Sequence, residues 1–107
     1  MGLFNFTQGN SIDNGVQMFE ETPGAVLVDV RTPQEYSQGH IPESVNVPLQ
    51  DLGRIADVAP DKATPLFVYC QSGMRSAQAT SLLKRAGYES VENIGGIMSY
   101  SGKLERA

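Results

Sequence analysis

The stretch VYCQSGMRSA, residues 68–77, contains the chain's single cysteine, Cys70, and its Arg75. A thiolate is a strong nucleophile, and a guanidinium presents a planar fork of donors matched to oxyanions. Between the two lie Gln71, Ser72, Gly73 and Met74. Gly73 allows a positive φ, so the loop can turn its amides inward as an anion-binding nest. The residues that follow have helical spacing, and a helix N-terminus adds unpaired N–H groups and partial positive charge. A thiol facing such donors has a lowered pKa and reacts as the thiolate. Ser72 and Ser76 can add hydroxyl donors. Arg75 falls in the helix's first turn, where the dipole disfavours a cation by about 0.3–1 kcal/mol. That placement predicts an anion beside it. The set suits chemistry in which an anion forms on Cys70. A lone cysteine at a strand end is commonly just a small buried hydrophobe; the glycine, the arginine and the helix start argue against that reading here.

The elements that must position this loop are legible in the apolar pattern. AVLVDV (25–30) and LFVYC (66–70) are short continuous runs that read as strands buried on both faces. SVNVP (44–48) and SVENI (90–94) are shorter candidates, and LFNF (3–6) is a candidate edge strand. Ala79, Leu82, Leu83 and Ala86 recur at helical spacing, with Lys84 and Arg85 in the last turn and Gly87 as a left-handed cap. Leu52, Ile55, Ala56 and Ala59 repeat that spacing up to Pro60. Ile12, Val16 and Phe19 predict a first helix, weakened by Gly15. Pro33–Ser37 predicts a short one, with Thr32 and Glu35 as a capping box. Strands alternating with helices imply a parallel sheet covered on both faces, with ligands beyond the strands' carboxyl ends. Cys70 stands at such an end.

Bulk properties narrow the partners. The 107 residues suit one domain over 1–107, and 19% charged residues at net charge -4 do not suit a disordered chain. Only 8 Lys and Arg are present, scattered rather than striped, so nucleic acid and anionic membrane are not expected partners. The start MGLFNFTQGN lacks the basic and apolar regions of a signal peptide, and Phe6 breaks the myristoylation pattern. No run approaches the roughly 20 apolar residues of a membrane span. One cysteine makes no internal disulfide and no cysteine-pair metal site, so no metal or cofactor is expected. The expected address is the cytoplasm, where a free thiol stays reduced.

Two blocks together resemble a known family. LVDVRTPQEYSQGHIPESVNVPL (27–49) is similar to the D-V-R, E-Y, G-H-I-P and N-I-P-L signature of the single-domain rhodaneses. VYCQSGMRSAQATSLLKRAGYESVENIGGI (68–97) is similar to their Y-C-x-x-G-x-R-S loop, helix, strand and G-G turn. The blocks cover about half the chain, in order. The resemblance implies a three-layer α/β fold with a central five-stranded parallel sheet flanked by helices. It also implies a sulfurtransferase in which Cys70 carries a persulfide. Gln71, Ser72, Gly73, Met74 and Arg75 would bind the substrate, with Arg75 on a small anionic sulfur donor such as thiosulfate. With no second cysteine, the sulfur acceptor would be an external thiol or a protein. Phosphatases and arsenate reductases share the fold but resemble a longer loop and need a general acid, which this loop lacks. A third alternative is a module that carries sulfur or binds a partner without turnover.

Five further positions bear on the site. Asp29, Arg31 and Glu35 read as a polar network bracing the loops, since buried charges are normally paired. His40, the single histidine, reads as a structural turn residue rather than a base for Cys70. The family's usual Trp after G-G-I is missing, and Tyr100 is expected to take its place in the pocket wall.

Overall fold

The computed structural model describes residues 11–107. The run VLVD forms β1 (Val26–Asp29) and LFVYC forms β3 (Leu66–Cys70), which pair in parallel at the centre of the sheet. Short β2 (Val45–Asn46) flanks β1, and β4 (Val91–Gly96) flanks β3, giving the order β2-β1-β3-β4 with every pairing parallel. All five residues of β3 are buried. That is why its sequence reads as an unbroken apolar run rather than an alternation. The expected five-stranded sheet is corrected to four strands among the described residues. The candidate edge strand LFNF lies outside them.

Side-chain alternation along β3 divides the core into two halves. Leu66, Val68 and Cys70 join one cluster with Ala79 and Leu83 of α4 (Met74–Arg85) and Ile55 of α3 (Ile55–Val58). Phe67 and Tyr69 join the other with Ile12, Val16 and Phe19 of α1 (Ser11–Glu20). The sheet is therefore the middle of three layers. Cys70 is committed by its register to the α4 side.

The helices follow their sequence signals with one exception. Thr32 caps α2 (Pro33–Gln38) in a full capping box, with Glu35 N–H donating to Thr32 Oγ1 at 3.2 Å and Thr32 N–H donating to Glu35 Oε1 at 2.9 Å. In α1, Gly15 has a packing role: a Cβ there would overlap the side chain of Ile94 on β4. The exception is the run before Pro60. It opens as a 3₁₀ segment, Leu49–Arg54, broken by non-helical backbone at Asp51 (φ -126°), and only Ile55–Val58 is α-helical. Gly53 in that stretch weakens helix propensity, so the periodic apolar residues are reached without a continuous helix. Among the described residues, no helix is long and apolar enough to cross a membrane.

Candidate active site

The loop between β3 and α4 is short because Gly73 turns it in one step. Gly73 has φ 103°, in the left-handed region, and sits at the N-cap of α4. Its N–H then donates to Cys70 Sγ at 3.0 Å. Cys70 itself is 1% exposed. Burial pushes the thiol pKa up, but hydrogen bonding from Ser76 and from the Gly73 and Ser72 amides outweighs it, and the net shift is downward. The nest and helix start read from the sequence are both present, and they act on the sulfur.

Ser76 divides its hydroxyl between the sulfur and neighbouring oxygens. Its hydroxyl has one proton and three acceptors in reach: Asn93 Oδ1 at 2.7 Å, Gly73 O at 3.1 Å and Cys70 Sγ at 3.5 Å. The shortest contact is to Asn93, so the amide of Gly73 is the firmer donor to the sulfur. Asn93 is held by Gly95 N–H, which donates to Oδ1 at 3.1 Å, and its Nδ2 donates to Gly73 O at 3.3 Å. The β3–β4 register slips between Val68 and Tyr69, so Val68 faces Asn93 but Tyr69 faces Gly95 and Cys70 faces Gly96. This bulge delivers Gly96 against the loop. A Cβ there would lie within 2.7 Å of the Gln71 and Ser72 backbone.

Two arginines border the loop, in different environments. Arg31 is 4% exposed and grips Asp29 with Nη2 at 2.8 Å and Nε at 3.1 Å from the carboxylate. It also donates to Gly39 O at 2.7 Å and to Gln71 Oε1 at 3.2 Å. The bracing role expected of Asp29 and Arg31 is what the structure has. Arg75 instead makes a two-pronged contact with Glu35, at 2.8 and 3.0 Å. The anion expected beside the first turn of α4 is thus a carboxylate of the protein itself. Hydrogen bonding from Arg75 holds the Glu35 carboxyl down at about 2.

A cleft of about 540 Å³ opens beside Gln71 and is also lined by Arg31, Glu35, Ile97, Met98 and Leu104. Tyr100 is not in its wall, which corrects the expectation from the missing Trp. Tyr100 packs beneath, against the α1 side of the core, and borders a different cleft with Asp13 and Glu20. Met98 and Leu104 take the wall instead, 72% and 49% exposed. Leu104 arrives because the tail folds back, with His40 and Glu105 exchanging backbone hydrogen bonds of 2.8 and 2.9 Å. His40 stacks on Tyr36 at 3.8 Å and its Nδ1 lies 2.9 Å from Tyr36 O, a structural turn position as read.

Asn93, the wall residues Met98 and Leu104, and the pairing of Glu35 with Arg75 were not read from the sequence. For Asn93 a signal existed: asparagine is disfavoured in strands, and this one stands just before a Gly-Gly pair.

Comparison with known proteins agrees with this geometry. The Rhodanese-like domain family model matches residues 13–103. "Thiosulfate sulfurtransferase PspE" of Escherichia coli is 44% identical over 71 residues, covering 65% of this chain and 68% of that protein. "Thiosulfate:glutathione sulfurtransferase" of Saccharomyces cerevisiae is 38% identical over 89 residues, covering 72% of this chain and 64% of that one. Among solved structures, a rhodanese with anions from E. coli superposes with TM-score 0.73 at 37% identity, covering 78% of this chain and 99% of that chain. The chain belongs to the rhodanese-like domain family and is a thiosulfate sulfurtransferase-like enzyme.

Proposed function

We propose that the protein moves a sulfane sulfur from thiosulfate, or a similar small anionic donor, to a thiophilic acceptor through a persulfide on Cys70. The observation that carries this reading is the Gly73 N–H donating to Cys70 Sγ at 3.0 Å inside a loop that lowers the thiol pKa. The Cys70 thiolate attacks the outer sulfur of thiosulfate. A Cys–S bond to that sulfur forms as the donor's S–S bond breaks, and the electron pair leaves on sulfite. The product is Cys70–S–S⁻, so charge is conserved. The amides of residues 71–75 stabilise the negative sulfur, as donors in an oxyanion hole do for oxygen. An external thiol or protein acceptor, or cyanide in an assay, then attacks the terminal sulfur and returns the thiolate.

Arg75 is assigned to the anionic donor because Arg31 is buried with Asp29. The acceptor comes from outside, because the chain has no second cysteine to resolve the persulfide. A reducing compartment such as the cytoplasm suits a free catalytic thiol. Replacing Cys70 with Ala is expected to abolish thiocyanate formation from thiosulfate and cyanide while leaving the unfolding transition cooperative. Turnover that survives the substitution overturns the reading.

A further inference from the structure

We propose that Glu35 is a specificity-determining residue: an internal anion that thiosulfate must exchange with on Arg75. The inference deepens the reading above and rests on its assignment of Arg75 to the donor. Three observations carry it. Arg75 gives both prongs of its fork to Glu35, at 2.8 and 3.0 Å. The other guanidinium at the site, Arg31, is engaged by Asp29, Gly39 and Gln71. And the Arg75–Glu35 pair is about one-third exposed, at 36% and 32%, with Glu35 lining the cleft beside the loop.

An anion entering that cleft therefore meets Glu35 and an already engaged Arg31 in its lining rather than an unpaired cation. Glu35 occupies the Nη1–Nη2 edge of the guanidinium, and one edge holds one bidentate partner at a time, so a donor that takes that edge displaces Glu35. Donor binding is then an exchange of Glu35 for the donor. Glu35 is anchored independently of Arg75, because Thr32 N–H donates to its Oε1 at 2.9 Å as part of the α2 cap. Among the described residues Arg75 has Glu35 as its side-chain partner, so the arginine is the part that moves. With its carboxyl held at about 2, Glu35 stays ionised at every working pH. The device is thus a competitor of constant charge, not a pH switch. It favours a dianion able to present two oxygens and disfavours weaker monoanions.

The test uses the whole chain, with thiosulfate as donor and cyanide as acceptor. Glu35→Gln keeps the capping box, which accepts Glu or Gln, but removes the charge. In a two-step exchange mechanism, kcat/KM for the donor reports the first step alone. It is expected to rise roughly 2- to 5-fold, within the range of a partly exposed pair, while kcat/KM for cyanide stays unchanged. Glu89→Gln, an exposed position away from the site, changes net charge equally and is expected to do nothing. Glu35→Ala loses the cap as well and, per folded molecule, is expected to give the same rise. Arg75→Ala separates the two claims. If it lowers kcat/KM for thiosulfate but neither Glu35 variant raises it, the exchange is overturned and the donor site stands. If Arg75→Ala changes nothing, the donor assignment falls, and the exchange with it.

Discussion

Arg31 and Arg75 are the two guanidinium groups beside the same loop, and their surroundings are opposite. Arg31 is buried, faces a fully buried carboxylate and ties β1 to Gly39 and Gln71. Arg75 is partly exposed and faces a partly exposed carboxylate, Glu35, which lines the cleft. A buried pair cannot release its cation, because the partner left behind would be an uncompensated charge in a poor solvent for it. A partly exposed pair can, because water and an incoming anion replace what is lost. The contrast is the ground for proposing structure for one arginine and ligand exchange for the other, although both are charged, paired and near Cys70.

Substitutions can break this contrast at either end. The largest effect on stability is expected from Asp29→Ala, which strands Arg31 and should cost about 3–5 kcal/mol in urea unfolding. A loss below about 1 kcal/mol would mean that Arg31 is not structural. Arg75→Ala is expected to change unfolding by no more than about 1 kcal/mol. It should nonetheless lower kcat/KM for thiosulfate by roughly 10- to 100-fold, as loss of a charge-assisted bidentate contact does. The reverse pattern, a large stability loss with kcat/KM intact, would erase the distinction.

The smallest effect concerns the thiol itself. Ser76→Ala removes a hydroxyl that lowers the Cys70 pKa, so the pKa rises and less thiolate is present at neutral pH. Because that hydroxyl is shared with Asn93, alkylation of Cys70 by iodoacetamide at neutral pH is expected to slow by only about two- to fivefold. A much larger slowing would mean that Ser76, not the Gly73 amide, is the main donor to sulfur.

The sequence carried the loop and the central strands further than it carried the walls. Cys70, Gly73 and Arg75 lie within six residues of one another, and the turn that brings them together follows from a single left-handed glycine. Leu66–Cys70 announces itself because burial on both faces demands apolar residues throughout. The capping box of α2 was likewise local. Glu35 and Arg75, by contrast, are 40 positions apart, and nothing in either segment names the other. The slip of β4 that brings Gly96 to the loop is a matter of register, and the return of Leu104 to the cleft depends on a backbone bridge to His40. Tyr100 was misplaced for the same reason. Position after G-G-I fixes neither which face the side chain takes nor that the tail supplies the wall. The 3₁₀ segment at Leu49–Arg54 shows that helical spacing alone does not guarantee a helix when Gly53 and a broken backbone at Asp51 intervene.

The most direct test is intact-mass spectrometry of the purified protein after brief exposure to thiosulfate, with and without a cyanide chase. The account predicts a gain of one sulfur atom, located on Cys70 and lost again with cyanide. A folded protein with a reduced thiol that gains no sulfur, or gains it and never yields it to cyanide, would contradict the persulfide mechanism.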